Sequence, residues 1–202
     1  MQTVVFIPTV IESRLVFITT GWNCPGPLPD MYPGGMRIDE EEERAVLEVL
    51  RTKRLFRYYG PNPGASKVAE FEQAFSQFTG AQYAVAVTSG TAALICGLIG
   101  LVVCPGYAEI DPAYTWIASA SAVVAVGAVP VIAEVDESLT LDPLDLEQKI
   151  TPYTRAVIPV HMRGAPCRMD RIMEVARKHE LKVLEDVAQA NGGSYLGRRL
   201  GT

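Results

Sequence analysis

Between residues 83 and 184 short apolar runs alternate with helical segments, and this alternation constrains the fold more than any other feature of the chain. Apolar runs at 83–87, 129–134, 156–160 and 182–184 read as strands, and Glu109 to Asp111 as a short strand between the first two. Helices are expected between them at 92–101, 117–126, 144–150 and 169–179. Two more precede the first strand, one opened by Asp39 and one at 66–78. A β-α-β-α order with apolar strands predicts a mostly parallel sheet with helices on its faces, a three-layer α/β domain. In open sheets of this kind ligands lie at the carboxyl ends of the strands.

The last strand runs into Glu185-Asp186-Val187-Ala188-Gln189, so Asp186 sits at a strand end, where a carboxylate can hold a positive charge on a cofactor ring. The first strand leads through Ser89-Gly90-Thr91 into a helix. A helix start offers unpaired N–H groups and a partial positive charge, which suit a phosphate. The same three residues also make an ordinary N-cap. The turn is neither a Walker loop nor a Gly-x-Gly-x-x-Gly fingerprint, which argues against a Rossmann-like nucleotide binder. Trp116, after the second strand, either stacks on a planar ring or packs in the core. His161, ending the fourth strand, is either a proton carrier or a hydrogen-bonded structural residue. A phosphate turn, an aromatic platform and a carboxylate at three strand ends together suit a phosphorylated, cationic, aromatic cofactor. Pyridoxal phosphate has those properties.

The net charge of -5 argues against nucleic-acid binding by bulk electrostatics. Cys24, Cys96, Cys104 and Cys167 form no C-x-x-C pair, so free thiols are expected rather than a zinc site or a disulfide framework. Residues 1–20 are apolar but broken by Pro8, Glu12 and Arg14, and no uninterrupted run approaches the ~20 residues of a membrane span. Residues 1–32 read as an irregular or strand-like extension ending in Pro- and Gly-rich chain. The acid run Glu40 to Glu43 suits the positive end of a helix dipole better than a metal. Arg57, Tyr58 and Tyr59 fall in a loop, where they either contact a ligand or pack.

From about Pro33 to Thr202 the chain resembles the DegT/StrS family of sugar aminotransferases, within the fold-type I pyridoxal-phosphate enzymes. The resemblance is carried by Pro33-Gly34-Gly35, Thr88-Ser89-Gly90-Thr91-Ala92-Ala93-Leu94, Pro112-Ala113-Tyr114-Thr115-Trp116, Gly127-Ala128-Val129-Pro130-Val131, Pro159-Val160-His161 and Glu185-Asp186-Val187-Ala188-Gln189-Ala190. It implies the large domain of that fold type, with 33–202 as part of it and 1–32 as an extension. It implies pyridoxal 5′-phosphate as cofactor. Gly90, Thr91 and Ala92 would hold the phosphate, Trp116 would stack on the ring, Asp186 would pair with the ring nitrogen and Gln189 with the ring hydroxyl.

The activity so implied is transfer of an amino group from glutamate or glutamine to the keto group of a nucleotide sugar or cyclitol. It would be carried out by a cytoplasmic homodimer with no nucleic-acid or membrane partner. Tyr58 and Tyr59 would serve substrate binding, in a neighbouring subunit's site. Such chemistry needs a Schiff-base lysine. Lys53, Lys67, Lys149, Lys178 and Lys182 all lie outside the family's position for it, which is expected beyond Thr202. The chain is therefore expected to be the N-terminal part of the enzyme, without its small domain and inactive alone. A dehydratase of the same family, with histidine in place of that lysine, and a non-catalytic module keeping the cofactor pocket both stay open. Tyr107 departs from the family, which usually has an acid there.

Overall fold

The computed structural model describes residues 5–8, 38–57 and 66–202. The chain divides into two compact units, residues 10–69 and residues 1–9 with 70–202. In the first unit, α1 (Glu40–Thr52) begins where the sequence places it. Asp39 Oδ1 accepts from the Glu41 amide at 3.0 Å, and Glu42 Oε2 accepts from the Asp39 amide at 2.9 Å. These two bonds satisfy backbone donors that the helix itself leaves free. Lys53 ends the helix in a left-handed conformation (φ 57°), and its amide returns to the Leu50 carbonyl. The expected apolar face is present, but Val46, Leu47 and Leu50 are exposed. Helix α2 (Lys67–Thr79) runs on into the second unit, where Phe71, Phe75 and Phe78 stack along one side with centroids 5.7 and 6.2 Å apart.

The second unit holds the sheet. Strands β3 (Ala108–Pro112), β4 (Val129–Ala133), β5 (Thr154–Val157) and β6 (Lys182–Val183) pair in the order β4-β3-β5-β6, all parallel. After β4 the chain crosses back to the other side of β3, so the strand order reverses between β3 and β5. Strand β2 (Ala84–Val87) pairs in parallel with β1 (Val5–Pro8), the described part of the expected extension. Helices α3 (Gly90–Gly100), α4 (Ala118–Ala125), α5 (Pro143–Lys149) and α6 (Met169–Lys178) connect the strands.

Alternation along the strands sends side chains to two separate cores. Leu94 and Leu98 of α3 and Ala122 and Val123 of α4 pack with Ala156, Ile158, Val160 and Leu184 on one face. Leu146 of α5 and Ile172 and Val175 of α6 pack with Ile110, Ala133 and Val157 on the other. The expected three layers are therefore present. Each large apolar side chain buried completely, such as Leu98, Ile158 or Ile172, contributes ~1.5–3 kcal/mol.

Two details depart from expectation. The strand expected at 156–160 pairs regularly only to Val157, because Pro159 has no N–H for the ladder. The chain nevertheless stays extended, and Val160 bridges to Asp186. A hairpin of β7 (Ser194–Tyr195) and β8 (Arg198–Arg199) was not foreseen. Its turn carries Leu196 at φ 47° and Gly197 at φ 80°, and leucine there is not a turn signal. Among the described residues Cys96, Cys104 and Cys167 are free thiols. No helix of the described residues is long and apolar enough to cross a membrane.

Candidate active site

The carboxyl ends of β2, β3 and β6 border one cleft of about 290 Å³. Gly90, Thr91, Trp116, Asp186 and Gln189 all line it, with Glu185, Leu94 and Leu184. Five of the six expected cofactor contacts are thus brought together from segments almost a hundred residues apart. Ala92 does not line the cleft. Its amide donates to Ser89 Oγ at 3.0 Å. Tyr58 and Tyr59 lie outside the described residues.

The turn after β2 is an N-cap that also leaves two amides at the cleft. Ser89 is the N-cap, taking up the Ala92 amide. The Gly90 and Thr91 amides fall before the intrahelical ladder begins and have no acceptor among the described residues. They line the cleft at the positive end of an eleven-residue helix. The cap orders the turn without consuming the Gly90 and Thr91 amides.

Trp116 is 69% exposed, so its indole is not a core residue. Its carbonyl accepts from the Ser119 amide at 3.1 Å, and the Thr115 and Ser119 hydroxyls meet at 2.9 Å. These bonds fix the backbone at the start of α4 and leave the indole open to the cleft.

Asp186 is held by its main chain. Its amide donates to the Pro159 carbonyl at 2.9 Å, and its carbonyl accepts from the His161 amide at 3.1 Å. One carboxylate oxygen accepts from the Ala188 amide at 3.0 Å. Burial raises its pKa above the ordinary aspartate value, while the Ala188 amide and the nearby His161 act in the opposite sense. An incompletely solvated carboxylate of this kind gains by taking a cationic partner. Gln189 Oε1 accepts from the Arg163 amide at 2.7 Å, which secures the left-handed Arg163 (φ 55°) and leaves Nε2 as the free donor of the side chain.

Behind Asp186 the structure resolves the choice at His161. The ring is fully buried. Its Nδ1 accepts from the Cys167 amide at 3.0 Å, so the Nε2 proton points to Glu185 Oε2, also at 3.0 Å. The same Glu185 oxygen accepts from the Gly201 amide at 2.8 Å. His161 is thus a hydrogen-bonded structural residue, and Glu185 joins β5, β6 and the segment after β8. The partner was in plain view in the sequence, beside Asp186, but only parallel pairing of β5 with β6 brings the two side chains together. The Cys167 thiol is pushed up to about 12, chiefly by burial, and donates to the Val160 carbonyl.

Sequence reasoning also passed over Glu109 and Asp111. Both are completely buried on β3, and none of their four carboxyl oxygens has a partner elsewhere among the described residues. Burial and then the adjacent Asp111 push Glu109 well above the usual carboxylate range. Asp111 is raised to about 6, mainly by burial, with the charge of Asp186 adding to it. The signal was two acids at i and i+2 in a strand otherwise made of Ala108, Ile110 and Pro112.

Residues 36–202 match the family model of the DegT/DnrJ/EryC1/StrS aminotransferase family. The GDP-perosamine synthase of Caulobacter vibrioides is 39% identical over 87% of this chain and 46% of its own length. The dTDP-3-amino-3,4,6-trideoxy-alpha-D-glucose transaminase of Streptomyces venezuelae is 42% identical over 87% of this chain and 45% of its own. The chain thus spans about half the length of the curated relatives it matches. Among solved structures, Spr1654 of Streptococcus pneumoniae in its PLP form aligns with a TM-score of 0.72 at 32% identity, covering 81% of this chain and 44% of that one.

Proposed function

The chain belongs to the DegT/DnrJ/EryC1/StrS aminotransferase family, and on that premise we propose that it forms the cofactor-binding part of an enzyme that moves an amino group from glutamate or glutamine to the keto group of a nucleotide sugar or cyclitol. Its cofactor is pyridoxal 5′-phosphate. The observation that carries this is the meeting of two helix-start amides without an acceptor among the described residues, an open indole and a carboxylate at the edge of one cleft.

The donor set fits that group. Gly90 and Thr91 offer N–H donors to the phosphate, and the Thr91 hydroxyl adds a third. The Trp116 indole would cover one face of the ring. Asp186 holds a proton on the ring nitrogen, and Gln189 Nε2 donates to the ring hydroxyl. When bound, pyridoxal phosphate supplies an electron sink for cleavage at the amino-acid Cα. Among the described residues no lysine lines the cleft. The working enzyme is read as a homodimer, with Tyr58 and Tyr59 serving substrate binding.

The test uses pyridoxine 5′-phosphate, which lacks the aldehyde and so cannot react with surface lysines. Calorimetric titration of the chain should show saturable binding that pyridoxine without its phosphate does not reproduce. Loss of a charge-assisted hydrogen bond of about 1.5–3 kcal/mol should make Asp186→Asn bind ~10–100-fold more weakly. Equal affinity for the two ligands, or an unchanged affinity in Asp186→Asn, would overturn this use of the cleft.

A further inference from the structure

Glu109 and Asp111 are the feature that the proposed function leaves unexplained. They stand at i and i+2 on β3, so both point to the same face of the sheet. Ile110, between them, belongs to the core under α5 and α6. The two acids therefore face the opposite layer, toward α3 and α4. Ala156, Ile158 and Leu184 of the neighbouring strands lie on that face. Asp186 follows Leu184 by two residues in extended chain and is on it as well. The acids thus lie beneath the floor of the cleft, on the same side as the carboxylate at its edge.

Among the described residues, what surrounds them offers no compensating charge. Helices α3 and α4, which cover this face, contain no Asp, Glu, Lys, Arg or His, and their single cysteine, Cys96, is exposed. On β4 the residues beside the pair are Pro130 and Ile132, and on β5 the residue beside Glu109 is Ala156. The Ile158 amide, the one group lowering the Glu109 pKa and the weakest influence on it, is already bonded to the Ile110 carbonyl at 3.0 Å. The titratable groups toward the cleft are Asp186 itself, which acts on Asp111, and beyond it the His161–Glu185 pair. Two dry carboxylates this close cannot both be ionised cheaply, and a proton on one of them makes each the other's hydrogen-bond partner.

We propose that Glu109 and Asp111 share a single proton in the folded protein and that Asp111 is a positioning residue acting on Asp186 from beneath the cleft, so that a cation docking on Asp186 drives the shared proton out to solvent. The coupling is reciprocal. A negative Asp186 keeps the proton on the pair, and neutralising Asp186 releases it. The part concerning a docking cation rests on the proposed role of Asp186 toward a ring nitrogen. The shared proton and its response to Asp186 do not.

The experiment is an infrared pH titration of the 202-residue chain without ligand, following the C=O stretch of protonated carboxylic acid. In the wild type the band should persist to about pH 6 or above, beyond the range of an ordinary carboxyl. It should vanish near neutral pH in the Glu109→Gln/Asp111→Asn double variant. In Asp186→Asn, where the neighbouring charge is gone, the midpoint of the band should move to lower pH. Absence of the band in the wild type overturns the shared proton, and an unchanged midpoint in Asp186→Asn overturns the coupling. Should the polar variant fail to fold, Glu109→Val/Asp111→Val removes both carboxyls while keeping an apolar strand, and persistence of the band in it refutes the assignment. Failure of pyridoxine 5′-phosphate to bind would count against the cofactor reading alone, since the infrared result needs no ligand.

Discussion

At the scale of the residue, the site depends on side chains whose partners are fixed before any ligand arrives. Ser89 and Gln189 use part of their hydrogen-bonding capacity on the backbone, the Ala92 and Arg163 amides respectively, and so present the remainder of the site in a defined geometry. His161 is the most committed of these residues, because both ring nitrogens are engaged and the ring is completely buried. His161→Ala should destabilise the protein by roughly 3 kcal/mol, from the cavity and from the stranded Cys167 amide. Urea denaturation reads that loss, and a change below about 1 kcal/mol would mean the network is not structural. Asp186 and the Ser-Gly-Thr turn were legible in the sequence because each ends a recognisable apolar run, and Trp116 because it follows a strand end. Glu185, Glu109 and Asp111 were not, because their significance lies in what surrounds them in three dimensions. An acid inside a short strand reads from sequence as a half-exposed position, and only the covering helices α3 and α4 make it buried.

At the scale of the element, turns and caps decide where the site residues point. Gly127 ends the α4 segment at φ 78°, and a Cβ there would meet Pro105 Cγ at 2.7 Å. Gly127→Ala combines an unfavourable backbone conformation with a clash. It should cost ~1–3 kcal/mol and shift the start of β4, as read by the thermal midpoint and by amide exchange at Val129. The periodicity of α3, α4 and α6 placed those helices to within about two residues. Strand ends were less legible. Pro159 stops the regular ladder of β5, yet the bridge from Val160 to Asp186 is what holds the carboxylate at the cleft. The β7–β8 hairpin escaped notice because its turn residue Leu196 carries a positive φ that leucine seldom adopts.

At the scale of the whole molecule, the buried acids make stability depend on pH in an unusual direction. Folded-state carboxyls raised above their unfolded values hold a proton that the unfolded chain has already lost, so stability falls as pH rises. For Asp111 the window runs from its ordinary 3.8 to about 6, and Glu109, raised by burial, acts in the same direction. The Asp111 contribution is on the order of 3 kcal/mol, complete below the lower end and gone above the upper. The urea midpoint should therefore be lower at about pH 8 than at about pH 5. Glu109→Val/Asp111→Val should flatten this dependence and raise stability at the higher pH. A wild-type midpoint indifferent to pH over that range would refute the prediction. By itself the sequence determined the parallel, helix-covered sheet and the identity of the cleft-lining groups, because strand and helix periods and strand-end residues are local properties of the chain. Only the tertiary structure decided that Trp116 is open, that His161 is tied to Glu185, and that two acids lie dry beneath Asp186. Burial, pairing across parallel strands and the field of one carboxylate on another arise between segments far apart in the chain, and no local pattern encodes them.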